Sequence, residues 1–280
     1  MKFTNAMQLK AWINNRAKKL NIPAPDLMKI YMLERLLERI TLSKYRDKLI
    51  LKGGFLIASM IGVDLRTTVD MDATIKNIKI NRYNIIEVMN EIITIEVDDG
   101  IKFAIQSISD IHEESEYDDF RMILVANYLT IKTHIQVDFT TGHVIIPHEI
   151  EYSYKLMFEE RTIKVMAYNL NTIFAEKIEA ILSRNITGTR MRDYYDVYIL
   201  ISLNKKTIKK QEVVDAIKIK AKERNTLNYV NDYKNLLEKI GSDAKINKLW
   251  SAYQKEYNYA KDINFTDIIS VIAWIFDESN

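Results

Sequence analysis

LKGGFLIASMIGVDLRTTVDMDATI, residues Leu51 to Ile75, sets two adjacent glycines ahead of an apolar run and then two aspartates two positions apart. The residues leading into it, Asp47 to Leu51 (DKLIL), read as a short apolar strand. Gly53 and Gly54 then make the turn, and Phe55 to Ile61 read as the first turns of a helix. Thr68 to Ile75 alternates, with Thr68, Asp70, Asp72 and Thr74 on one side and Val69, Met71, Ala73 and Ile75 on the other. Asp70 and Asp72 therefore project from the same face of a strand. Two such carboxylates repel each other unless a cation sits between them or one takes up a proton. Mg²⁺ meets that need, because it takes a few carboxylate oxygens and completes its shell with waters and substrate phosphates. A Gly-Gly turn opening a helix also brings backbone amides and the positive helix end close to an anion. Alone, a glycine pair is an ordinary turn and D-x-D a solvated pair. Together, at this spacing, they predict a site for a metal and a phosphate ester.

The rest of the chain bounds what that site can serve. At 280 residues, with 48% hydrophobic residues, it is long enough for one large domain or two ordinary ones with a sizeable core. Its 40 basic and 38 acidic residues leave a net charge of +2, so any affinity for nucleic acid must come from local arrangement. With no cysteine in the chain, disulfides, zinc–thiolate sites, iron–sulfur clusters and cysteine nucleophiles are excluded. No hydrophobic run has the length or flanks of a signal peptide or membrane span, so a cytoplasmic location is expected, with no membrane partner.

Helical spacing runs from Ala6 to Leu20 and again from about Asp26 to Ile40, with Pro23 and Pro25 between and Asp26 placed to cap the second helix. After a helix near Arg82 to Ile93, strands are expected at Ile93 to Val97, Ile101 to Ile108, Met122 to Tyr128 and Ile131 to Phe139. The last alternates cleanly and puts Asp138 on its polar face. Beyond about Tyr152 the pattern turns helical, with segments near Thr172 to Arg184, Asp193 to Leu203, Thr207 to Arg224 and Phe265 to Phe276. The expected architecture is an α+β domain over residues 1–150 followed by a helical domain over 151–280.

LKGG at Leu51 to Gly54, R-x-T at Arg66 to Thr68, D-x-D at Asp70 to Asp72 and the upstream YMLERLLERI at Tyr31 to Ile40 resemble the AbiEii/AbiGii toxin family. That family belongs to the nucleotidyltransferase superfamily that shares its fold with DNA polymerase β, and includes the MenT tRNA nucleotidyltransferases. The resemblance implies the polymerase β-type fold, a mixed sheet flanked by helices. It further implies an enzyme that transfers a nucleoside monophosphate from an NTP to an acceptor, the 3′ end of a tRNA. The protein would be the toxin of a type IV abortive-infection system, a phage defence opposed by a separately encoded antitoxin.

The resemblance also implies roles for individual residues. Asp70, Asp72 and Asp138 would hold Mg²⁺, while Lys52, Gly53, Gly54, Arg66, Thr68 and Lys177 would receive the nucleotide. A lysine on one helix and an aspartate on the next recur in the family. Lys177, in NTIFAEKIEAILSR, matches the first. Asp193 and Asp196, in RMRDYYDVYIL, both match the second, and the sequence leaves the choice open. Apolar residues at helical spacing border Lys177, so its ammonium is partly desolvated and wants an anion. Asp193 alternatively caps its helix.

Two other readings compete. A metal-dependent nuclease could use the same carboxylates, although no lysine stands two residues after Asp72 or Asp138 to favour it. A catalytically inactive RNA-binding or partner-binding module could retain the fold. The basic residues from Lys205 to Arg224 read first as a solvated helix face, because Glu212, Asp215 and Glu223 interrupt them. His143 and His148 flank a proline-containing turn without metal-ligand spacing and are assigned no metal. A monomer is expected.

Overall fold

A computed structural model of the chain describes residues 3–78, 81–111, 119–142 and 144–277. They form an α+β architecture that divides into two compact units, the first comprising Met1–His143 and Glu149–Tyr168, the second Val144–His148 and Asn169–Asn280.

The first unit opens with helices α1 (Ala6–Leu20) and α2 (Ala24–Leu42). Asn5 caps α1 by accepting from the Gln8 amide, and Asn21 ends it in the left-handed conformation that a short polar side chain tolerates. Asp26 does not cap α2 as expected. Pro23 holds the cap position, Pro25 fits the first turn where an amide has no helical partner, and Asp26 falls inside that turn, near the positive helix end. Strand β1 (Leu49–Lys52) then runs straight into α3 (Gly53–Ile61), β2 (Asp70–Ile75) follows, and α4 (Arg82–Ile93) is capped by Asn81.

Strands β3 (Lys102–Asp110), β4 (Phe120–Tyr128), β5 (Ile131–Thr140), β6 (Ile150–Lys155) and β7 (Thr162–Ala167) complete a seven-stranded mixed sheet in the order β3-β4-β5-β2-β1-β7-β6. β2 pairs with β5 and β1 with β7 in parallel, and the remaining neighbours are antiparallel. One sheet face is apolar: Met71, Ala73, Ile75, Met122, Leu124, Ile135, Val137 and Phe139 are all buried, and α2 packs against β2, β5 and β7. Burial of that face is the main favourable term for this unit.

Two further sequence expectations fail here. Residues 93–97 alternate like a strand, but α4 continues through Ile93 and the chain turns, with Asp99 clamped by both Arg39 Nη atoms at 2.8 and 2.9 Å and Gly100 at φ 70°. The buried Arg39 pair overrides the local alternation. Beyond Tyr152 the chain is not yet helical, because β6 and β7 extend the sheet to Ala167 before the first helix. Their short exposed-edge pattern, with Tyr152 and Tyr154 on one face, is too brief for periodicity to separate from helix.

The second unit is helical. α5 (Leu170–Arg184), α6 (Met191–Asn204), α7 (Lys210–Glu223), α8 (Leu227–Asn231), α9 (Tyr233–Ser242), α10 (Ala244–Glu256) and α11 (Phe265–Phe276) pack around Phe174, Ile178, Tyr194, Tyr195, Ile217 and Trp250. Among the described residues, no helix is long and apolar enough to cross a membrane.

Candidate functional site

The glycine pair and the two aspartates meet at the start of α3. Gly53 adopts φ +66°, which a side chain resists, and a Cβ placed there would lie 2.7 Å from Cγ of Asp72. A Cβ on Gly54 would lie 2.9 Å from Arg66 Nη2 and 3.0 Å from Thr68 Oγ1. The absence of both side chains lets an anionic and a cationic group stand against the first turn of the helix. Gly53 and Gly54, Arg66 and Thr68, and Asp72 thus belong to one surface, although residues 55–69 separate the two glycines from Asp70.

Sheet register supplies the rest. Lys52 on β1 pairs with Asp72 on β2, Asp72 with Asp138 on β5, and Asp138 with Arg121 on β4. Laterally paired residues share a face, so these four form one row across the sheet, with two carboxylates between two cations. Asp70 lies two residues from Asp72 on the same face, in register with Gln136. Neighbouring strands are about 5 Å apart, which puts the carboxylates of Asp72 and Asp138 within reach of a shared cation.

Arg121 fills part of that role. Its Nε and Nη2 donate to the two oxygens of Asp138 at 2.9 and 2.7 Å, a bidentate fork. Asp138, followed by the fields of Asp70 and Asp72, raises the Arg121 pKa above its ordinary value. Gln136 Nε2 donates to Asp138 as well, at 3.2 Å. Among the described residues no three His, Asp or Glu side chains gather in metal-ligand geometry. The donor set nonetheless suits a hard dication: carboxylates in adjacent rows of one sheet face, a guanidinium on a long side chain balancing them, and a glycine whose missing Cβ leaves Asp72 its place.

Lys52 is buried and its ammonium lies 5.6 Å from the centre of the Tyr168 ring. Tyr168 in turn shares a 2.6 Å hydrogen bond with Thr74 Oγ1. Arg66 is also buried, and its Nη1 donates to the Thr67 carbonyl at 2.9 Å.

In the second unit, Lys177 Nζ lies 2.7 Å from Asp193 Oδ1 and 2.8 Å from Asp196 Oδ2. The sequence left the choice between those aspartates open, and both converge on the lysine. Positions 193 and 196 are three apart on α6 and so share a helix face. Burial lowers the Lys177 pKa, but Asp196 and Asp193 outweigh it and hold the ammonium charged, with a pKa above the ordinary value. Asp193 does not cap α6: Arg190 holds that position and Asp193 lies in the first turn. Asp196 is fully buried, while Asp193 also faces Arg184 at 3.6 Å.

Arg121 escaped the sequence reading. It stands in an ordinary alternating strand, and only the β4–β5 register places it opposite Asp138. Of the two histidines considered above, His143 lies outside the described residues.

A mixed sheet with a glycine turn opening a helix beside strand-borne carboxylates has the donor groups to hold a metal and a phosphate ester together. Residues 35–276 match the nucleotidyl transferase AbiEii toxin family of type IV toxin–antitoxin systems, and the chain belongs to that family. Membership implies an NTP substrate and an antitoxin partner. Similar solved structures include a candidate nucleotidyltransferase from H. pylori, 15% identical, covering 89% of this chain and 93% of that one with a TM-score of 0.48. A second is JHP933 from Helicobacter pylori, 14% identical, covering 89% and 91% with the same TM-score. No curated protein matches the chain.

Proposed function

We propose that the chain is a Mg²⁺-dependent transferase that moves a nucleoside monophosphate from an NTP onto the 3′ end of a tRNA, arresting growth until its antitoxin opposes it. One observation carries the catalytic part: the row Lys52–Asp72–Asp138–Arg121, with Asp70 beside it, lies on the sheet face next to the Gly53 turn. The tRNA acceptor rests on the family resemblance.

Asp70, Asp72 and Asp138 would hold the metal, which supplies Lewis-acid stabilisation of phosphate oxygens and a lowered pKa for the attacking hydroxyl. The residues of the chain do the remaining work. Amides at the start of α3, with the Arg66 guanidinium and Thr68 hydroxyl beside Gly54, bind and orient phosphate oxygens. Lys52 adds a buried positive charge at the end of the carboxylate row. Arg121, forked to Asp138, would offer its guanidinium to a phosphate oxygen where that carboxylate served a metal. The family resemblance assigns Lys177, held by two aspartates, the role of countering charge that builds on the departing pyrophosphate.

The test is incubation of the purified full chain with total RNA, Mg²⁺ and each labelled NTP in turn. Label entering tRNA-sized RNA from one nucleotide is expected, and Asp70→Ala or Asp72→Ala should lower the rate by more than about a hundredfold with unchanged circular dichroism. Shortening of RNA without NTP would mean a nuclease instead. Toxicity that survives both substitutions would mean a binding module.

A further inference from the structure

β5 is longer than its partner on one side. β2 pairs only with Gln136 to Thr140, so residues 131–135 run on past the start of β2. Beside that overhang, between β5 and helices α1 and α2, lies a cleft of about 710 Å³. Because the notch is at a strand edge, residues of both faces of β5 line it: Ile131 and Thr133 of the apolar face, Lys132 and His134 of the polar one. Lys10 on α1 and Lys29 on α2 complete a lining that has three lysines, one histidine and no carboxylate.

That lining contrasts with a chain whose net charge is only +2. Pro25, Met28 and Ile131 supply apolar surface between the cations. A site that alternates positive charge with apolar area suits a nucleotide, phosphate on the lysines and base on the apolar patch. An acidic peptide would use the charges and leave the apolar area idle.

Position selects among nucleotides. Lys132, His134, Gln136 and Asp138 alternate along one face of β5, so two residues of the cleft share a strand face with the candidate metal row. Six residues of strand from Asp138 to Lys132 span about 20 Å, too far for the triphosphate held at Gly53 and suited to a few nucleotides of extended chain. We infer that this cleft is a subsite for an upstream nucleotide of the single-stranded acceptor RNA whose 3′ end is directed at Asp138. The inference rests on the transferase reading for the identity of the strand.

The test uses the full chain with Lys29→Glu and Lys132→Glu combined, neither residue belonging to the metal or triphosphate machinery. Binding of a fluorescent single-stranded oligoribonucleotide should weaken at least tenfold, and the slope of log affinity against log salt should fall by about 0.7 for each phosphate that the variant no longer neutralises. In the transfer assay KM for RNA should rise while KM for NTP and kcat hold. Unchanged oligonucleotide affinity overturns the subsite, and so does a polyglutamate peptide competing as well as the RNA. If the wild type transfers nothing to RNA yet the double variant loses oligonucleotide binding, the transferase reading fails and the cleft stands. The milder pair Lys29→Gln and Lys132→Gln, showing the same trend with an unchanged melting temperature, separates the effect from misfolding.

Discussion

Gly53 and Asp72 are so close that no residue with a Cβ fits at position 53 without displacing the carboxylate. The positive φ of Gly53 adds backbone strain to the collision for any replacement. Gly53→Ala is expected to cost about 1–3 kcal/mol of stability and to lower transfer more than about tenfold, because Asp72 must move. Denaturant unfolding beside a transfer assay measures both. Retention of full activity would mean that the position of Asp72 does not matter.

On the proposed reading, Arg121 and a metal would compete for Asp138. Replacing Arg121 with Met removes the fork and frees the carboxylate, so the Mg²⁺ concentration for half-maximal activity should fall. The rate at saturating Mg²⁺ should fall too, since the phosphate contact proposed for the guanidinium is lost with it. A metal titration of wild type and variant checks this. An unchanged Mg²⁺ midpoint would remove Asp138 from the metal site.

The Lys177 cluster makes a stability prediction of its own. Asp196 is fully buried against the ammonium, and breaking a buried pair by removing one partner costs about 3–5 kcal/mol. Asp196→Asn should reach that range. Asp193→Asn should cost less, because Asp193 retains some exposure and Asp196 still neutralises the lysine. Urea midpoints of the two variants give the comparison.

Glu34 sets a pH dependence. Burial raises its carboxyl to about 7, although the Met157 amide and Arg35 pull the other way. The folded state therefore holds this proton between about pH 4.5 and 7 while the unfolded chain releases it, and the contribution of Glu34 to stability falls as pH rises through that window. At pH 8 the cost approaches about 3 kcal/mol. Glu34→Gln keeps an acceptor for the Met157 amide and should flatten the decline, so its advantage over wild type should grow from pH 5 to pH 8 in chemical denaturation.

How much of this was legible in advance depended on range. The strand–glycine–helix–strand order around Gly53, the shared face of Asp70 and Asp72 and the outward direction of Asp138 all follow from period-two alternation and glycine chemistry within short windows. Helices such as α4 and α11 were bounded by their own apolar spacing. Residues 93–97 and the β6–β7 pair misled because short segments carry too little periodicity to outweigh a tertiary demand, here the Arg39–Asp99 clamp and the sheet edge.

Alternation by itself determined which way each carboxylate points, since that is a local property of the pleat. Only the tertiary structure decided which neighbours they have: Lys52 beside Asp72, Asp138 on its other side, Arg121 beyond, and two aspartates together on Lys177. Strand register and helix packing join residues far apart in the chain, and the free energy that selects one pairing comes from burying the opposite, apolar face. The polar row is carried into place by the core beneath it.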